Sequence, residues 1–120
     1  MITDATFDLD LGPSVNAMYA NAPGRGRIKS KAYKSWVRGQ LKALLAQRAR
    51  PVQAPVSIEL FLPDTMRGDA SNRIKAVEDL LVKAGIIPND SKKFVRSVGI
   101  SFHGAAQMRV RVQTVTQRHD

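Results

Sequence analysis

Between Arg67 and Lys93 the chain reads RGDASNRIKAVEDLLVKAGIIPNDSKK, and this run gathers residues that could act on a phosphodiester. Asp69 stands in a Gly-bearing loop, and Ser71 and Asn72 follow at the mouth of a helical stretch. Lys75 comes one turn in, and Asp90 lies in a second loop beyond Gly85. Magnesium takes hard oxygen ligands and typically only one or two protein carboxylates, leaving its other positions to water and substrate phosphate. Asp69 and Asp90 would supply those carboxylates if the loops before and after the helix converge, with Lys75 facing the scissile phosphate to stabilise developing charge. A structural reading of the same residues stays open on spacing alone. In it Asp69 sits at the positive end of the helix, Asp90 makes an Asx turn after Pro88-Asn89, and Lys75 pairs with Asp79 one turn on.

What surrounds these residues favours an anionic partner. The 120 residues carry 19 Lys and Arg against 10 Asp and Glu, a net charge of +9, and the pI is near 10.5. Such a field attracts polyanions and speeds their encounter. Nucleic acid is the expected partner and a membrane is not, because no apolar run approaches the roughly 18 residues of a span. Met1–Asp10 lacks a basic-then-apolar leader pattern, so a cytoplasmic protein is expected. With no cysteine, disulfides and thiolate metal sites are excluded. Hydrophobic content of 43% suits one globular domain over residues 1–120.

The elements that must position the site can be read from periodicity. Ala5, Phe7, Leu9 and Leu11 alternate with polar residues and predict a half-buried strand. Gly12-Pro13-Ser14 opens a long connection that passes Asn16 and Tyr19 and ends among Arg25, Arg27, Lys29 and Lys31. It reads either as a solvated basic loop or as a phosphate-contacting arm. Ser30 is the expected N-cap of a helix that buries Tyr33, Trp36, Val37, Leu41, Leu44 and Leu45 and ends at Pro51. Trp36 falls in the apolar stripe, so packing is its expected role. Val56, Ile58, Leu60 and Leu62 predict a second strand that leads into the Asp69 loop. The next helix, about Ser71 to Ala84, buries Ile74, Val77, Leu80 and Leu81 and closes on Gly85 as its left-handed C-cap. Two final alternating runs, Phe94 to Phe102 and Met108 to Val112, flank a turn at His103–Ala106 and predict an antiparallel hairpin. The order β-α-β-α-β-β makes this a small α/β domain with a mixed sheet and two main helices.

Motifs along nearly the whole chain resemble the RusA family of Holliday junction resolvases. The family's D-x-D-N-x-x-K run appears as Asp69-Ala70-Ser71-Asn72-Arg73-Ile74-Lys75. Its K-A-G helix end appears as Lys83-Ala84-Gly85 and its acidic turn as Asn89-Asp90. Pro13-Ser14-Val15-Asn16-Ala17-Met18-Tyr19 is similar to the family's P-S-x-N-x-x-Y element. The resemblance implies a homodimeric endonuclease for branched DNA, dependent on Mg2+ with Mn2+ as an alternative, built on three aspartates and a lysine. Asp69, Lys75 and Asp90 carry over, with Asp69 and Asp90 as the metal ligands. Ser71 stands where the family has its middle aspartate, which removes one formal negative charge. Asp79 does not replace it, lying about 12 Å further along the helix at 1.5 Å per residue. Asn16, Arg25, Arg27, Arg67, Asn72, Arg73, Lys92 and Lys93 are the expected DNA contacts. The family also carries more arginine before the first aspartate, where this chain has Gly68 beside Arg67.

Three functional readings follow. One is an active junction-cutting nuclease in recombination and repair. The second is a branched-DNA-binding protein of the same family without catalysis. A third is an RNA-binding module that uses a basic hairpin edge at Arg109 and Arg111. His103, at the turn, and His119, in the tail, read as solvated side chains, since a divalent ion can supply the nucleophile without a histidine.

Overall fold

The strand with the most complete apolar alternation takes the middle of the sheet. The computed structural model describes residues 1–12, 19–22, 26–66 and 70–116, with the backbone alone for 19–22, 26–29, 71 and 72. In chain order the elements are β1 (Asp4–Leu9), β2 (Tyr19–Ala22), β3 (Gly26–Lys29), α1 (Lys31–Ala46) and β4 (Val56–Pro63). A 3-10 turn (Ala70–Arg73), α2 (Ile74–Lys83), β5 (Val95–His103) and β6 (Met108–Thr114) follow. The main sheet runs β1-β6-β4-β5. β6 is antiparallel to both β1 and β4, and β5 is parallel to β4. The fold is α/β with a mixed sheet, as the periodicity indicates.

Register lines up one apolar face. Leu60 is opposite Val110 on one side and Ile100 on the other, and Val110 is opposite Phe7. With Leu9, Ile58, Leu62, Met108 and Val112 these residues form a core completed by Tyr33, Val37 and Leu44 of α1 and Val77, Leu80 and Leu81 of α2. Ile58, Leu60 and Leu62 are fully buried, and truncating such a leucine to alanine typically costs about 2–5 kcal/mol. The opposite face is polar, with Arg109 on Asp8 at 3.0 Å and Arg111 on Asp4 at 2.7 Å.

The expected C-terminal hairpin does not form. β5 and β6 are antiparallel in direction, but β4 lies between them and bonds to both. The four residues 104–107 are long enough for this: they reach about 13 Å, whereas strands separated by one other lie about 10 Å apart. β4 wins the central place because its inward residues are all large and apolar, so both of its edges are best kept from water.

Other boundaries shift for local reasons. The long N-terminal connection holds a β2–β3 ribbon, with Tyr19 opposite Lys29 and Ala22 opposite Gly26. Ser30 does cap α1, its hydroxyl accepting from the Tyr33 N–H at 3.1 Å. α1 stops at Ala46, well short of Pro51. Arg48 adopts a left-handed conformation with φ 57°, and Ala49 N–H bonds back to Leu44 C=O at 2.9 Å. Leu45, expected on the buried face, is 80% exposed, while Gln40 takes an inward place at 4%. Gln40 is there for its amide, which accepts from Asp10 N–H at 2.9 Å and donates to the Asp10 carboxylate at 3.1 Å. Trp36 is half-buried, as its stripe position suggests, and donates its indole N–H to Asp10 C=O at 3.0 Å. Gly12 lies against its ring, where a Cβ would come within 2.9 Å. The helix expected from Ser71 begins as a 3-10 turn and becomes α-helical only at Ile74, which is half-buried.

Candidate active site

Two elements bring the site's cation and anion together from fifteen residues apart. α2 places Lys75 at its second residue and Asp79 one turn later. The helix ends in a Schellman turn. Gly85 has φ 75°, its N–H bonds Val82 C=O at 3.0 Å, and Ile86 N–H bonds Leu81 C=O at 3.0 Å. Ile86 and Ile87 are then buried in the core, and Val52 N–H bonds Ile86 C=O at 3.0 Å. Anchored there, the chain turns back along the helix. Asn89 makes the Asx turn, accepting from Ser91 N–H at 2.8 Å, so Asp90 is not the turn-forming residue and its carboxylate is available for other partners.

Lys75 Nζ lies 3.1 Å from Asp79 Oδ1 and 3.1 Å from Asp90 Oδ2. These three line an open cleft together with Val82, Lys83 and Asn89. The hydrogen bonds to Asp79 first and Asp90 second hold the Lys75 ammonium well above its ordinary pKa. Glu78 stands nearby and its carboxyl is pushed up, chiefly by burial, then by the charge on Asp90, with a further rise from Asp79 and an opposing pull from Lys75. The cluster is thus one lysine bridging two carboxylates, Asp79 on its own helix and Asp90 on the loop beyond it, with Glu78 near enough to feel their charges.

The expected pairing of Lys75 with Asp79 is present, and Asp90 joins it. Asp79 and Glu78 therefore belong to the cluster, although the sequence reading did not count them among the site residues. The four-residue step from Lys75 to Asp79 was the visible signal, whereas nothing local in the sequence links either residue to Asp90. Arg73, an expected DNA contact, is 8% exposed. Its Nη1 is buried without a hydrogen-bond partner, and burial pushes the guanidinium pKa down. Lys92 and Lys93 are exposed, Lys92 C=O accepting from Arg96 at 3.1 Å and Lys93 Nζ lying 5.6 Å from the Phe94 ring centroid. Asn16, Arg25, Arg67, Asp69 and His119 lie outside the described residues, as do the side chains of Arg27, Ser71 and Asn72. His103 Nε2 bonds the Gln107 carbonyl at 2.8 Å.

Among the described residues no three carboxylate or histidine side chains converge on one point as a metal cage. Nor is any described helix long and apolar enough to cross a membrane. The basic hairpin edge expected of an RNA-binding module is not there. Arg109 and Arg111 lie on β6, inside the sheet, and both are ion-paired with β1.

A family profile described as Endodeoxyribonuclease RusA matches residues 10–114. The chain belongs to the RusA endodeoxyribonuclease family. No curated protein matches the sequence. The matched span includes β2–β3, the loop from β4 to α2, the Lys75–Asp79–Asp90 cluster and all of β5 and β6. The RusA family is one of nucleases that act on branched DNA, and its chemistry is phosphodiester hydrolysis.

Proposed function

We propose that this chain is a Mg2+-dependent, structure-selective endodeoxyribonuclease that resolves four-way DNA junctions by paired hydrolysis, working as a homodimer in the cytoplasm during recombination and repair. The observation that carries the reading is the convergence of Lys75 and Asp90 on one cleft, in a chain of a nuclease family.

The donor chemistry fits a hard divalent cation. Asp90 offers carboxylate oxygen, Asp69 would offer another, and one or two protein carboxylates suffice for magnesium. When bound, the ion would supply Lewis-acid stabilisation and a nucleophile at neutral pH. Mn2+ would serve by the same ligand preference. Lys75 has a separate task. It engages Asp90 through one carboxylate oxygen, which holds that side chain in a fixed orientation, and its ammonium lies where a substrate phosphate oxygen would find a donor. Asp79 sets the direction of the ammonium from its other side. Asn72, Lys92, Lys93, Arg67, Asn16, Arg25 and Arg27 are assigned to the DNA backbone, whereas Arg73, buried at 8% exposure, is not.

A second reading keeps the junction binding and drops the chemistry. Ser71 in the place of an aspartate favours it, because a hydroxyl is a neutral and weaker magnesium ligand than a carboxylate. Magnesium titrated against cleavage of a synthetic four-way junction separates the two. Wild type is expected to cut, Asp69→Asn and Asp90→Asn to lose cutting while keeping junction binding, and Lys75→Ala to cut slowly without weaker metal binding. Ser71→Asp should lower the magnesium needed. Cutting that survives both Asp→Asn changes would place the chemistry elsewhere. A wild type that never cuts, beside a Ser71→Asp variant that does, would establish the binding-only reading.

A further inference from the structure

The two edges of the main sheet are treated differently. At β1, side chains from α1 and its C-cap reach the backbone of the edge and of Asp10 just beyond it. Gln47 accepts from Asp8 N–H and donates to Asp8 C=O, both at 2.8 Å, and Gln40 accepts from Asp10 N–H at 2.9 Å. At β5 there is no such cover. Among the described residues its outer edge receives no hydrogen bond, and β4 is its only strand neighbour. Edges are usually blunted by proline, by charge or by a covering element, yet from Ser97 to Phe102 there is neither proline nor charge. Phe102 is 55% exposed at the end of an apolar row that includes half-buried Val98 and Ile100.

The sequence of this edge reads nearly the same in both directions about Gly99: Ser97-Val98-Gly99-Ile100-Ser101. That symmetry suits one occupant, another copy of the same strand, because a two-fold axis sets residues equidistant from it against each other. We propose that a second copy of this chain adds its β5 antiparallel to the first across a two-fold axis at Gly99. Two four-stranded sheets then become one continuous sheet. The inference takes from the proposed function only that the chain works as a pair.

Backbone geometry supports this register. Asp64 N–H donates to His103 C=O at 2.8 Å, and the β4–β5 register is unbroken from Ser57–Ser97 to Pro63–His103. From Ser97 to His103 the odd-numbered backbone groups of β5 therefore serve β4, and those of Val98, Ile100 and Phe102 point outward. Val98 would exchange hydrogen bonds with Ile100 of the second copy, extending the core face across the junction. Gly99 would meet its counterpart as a non-hydrogen-bonded pair, with Cα atoms about 4.5 Å apart. Glu59 already overlies Gly99, where a Cβ would collide with its carboxylate. Arg96, the extra residue at the register shift just before Ser97, would lie within reach of Phe102 of the second copy, a cation beside an aromatic ring. The axis stands normal to the sheet, so both α2 helices and both Lys75–Asp90 clefts share one face. Repulsion between two copies of net charge +9 opposes the pairing, so added salt should strengthen it.

The test uses the chain's lack of cysteine. Ser97→Cys and Ser101→Cys are made separately, then mixed and oxidised. A disulfide is expected in the mixture and not in either variant alone, because the register sets 97 against 101. Sedimentation of wild type should give twice 13.2 kDa. Phe102→Arg, set against Arg96 of the partner copy, should sediment as a folded monomer, and adding Arg96→Glu should restore the dimer. A monomeric wild type, linking of either cysteine variant with itself, or a dimer whose mixture does not link would each overturn the proposal. Failure of Arg96→Glu to restore a folded Phe102→Arg variant would do the same, and the cysteine pair decides alone if that variant does not fold. A chain that links but never cuts DNA leaves this interface standing and counts against the nuclease reading instead.

Discussion

Lys75 is the residue on which the cluster turns, and its energetics are those of a surface group. Its side chain is 58% exposed, so each of its two ion pairs contributes on the order of 0.5 kcal/mol after solvent screening. Because the folded state raises its pKa above the ordinary 10.5, this stabilisation is full below about pH 10.5 and is lost as pH rises through the folded value. Lys75→Met should therefore unfold at lower urea than wild type at pH 7, by about 1 kcal/mol in low salt, and the gap should close in strongly alkaline buffer. Glu78 behaves oppositely at neutral pH. Its carboxyl is raised above 4.5, chiefly by burial, so the folded state favours the protonated form. That contribution is present below pH 4.5 and lost as pH rises through the folded pKa. Glu78→Gln should raise stability at pH 7 by about 0.5 kcal/mol, and thermal melts should show the gain vanishing near pH 4. A gain independent of pH would remove charge as its cause.

The two helices end in the same turn but with different residues in the left-handed place. At the end of α2 it is Gly85, with φ 75°, and at the end of α1 it is Arg48, with φ 57°. Both ends carry the back-bonding pair of a Schellman turn, Ile86 to Leu81 with Gly85 to Val82, and Ala49 to Leu44 with Arg48 to Leu45. A side chain at such a φ costs about 1 kcal/mol relative to glycine. Gly85→Ala should thus destabilise by about 1 kcal/mol, while Arg48→Gly should be neutral or stabilising by up to the same amount. Denaturant midpoints with unchanged slopes would check both. On the proposed nuclease reading, Gly85→Ala should also impair metal-dependent cutting, because this turn aims the chain that presents Asp90. Equal and same-signed effects at the two positions would contradict the shared motif.

For the molecule as a whole, the +9 charge is not spread evenly in effect. Arg109 and Arg111 are neutralised by Asp8 and Asp4 on the helix-free face, and the Asp4 carboxyl is held below its ordinary range by its bond to Arg111. Exposed Lys92 and Lys93, beside Asp90, are among the cations left to meet phosphate. Junction affinity should fall linearly in log–log terms with salt, with slope near −0.9 per phosphate neutralised. Lys92→Glu with Lys93→Glu should weaken binding across junction sequences and flatten that slope. Arg109→Gln should leave binding unchanged while loosening β1 slightly. Salt-independent affinity, or a large loss on Arg109→Gln, would relocate the DNA face.

Local physics was legible in the amino-acid sequence. The Ser30 cap, the left-handed Gly85, the period-two strands and the Lys75–Asp79 step each depend on residues within a turn of one another, and each formed as read. The family motifs were legible too, because they record residue types at fixed spacing. The end of α1 was missed because arginine at a left-handed position leaves no mark of the kind glycine leaves. Nothing local marks the roles of Gln40 and Gln47, since their partners, Asp10 and Asp8, are 30 and 39 positions away. The C-terminal hairpin was misread for the same reason: alternation shows that a segment is a strand, but not which strand lies beside it. Only the folded sheet decided that β4 separates β5 from β6, that one edge is closed by glutamines and the other open, and that Asp90 turns back onto Lys75. Strand neighbours and loop convergence are set by competition among distant apolar surfaces for the core, and that competition has no local signature.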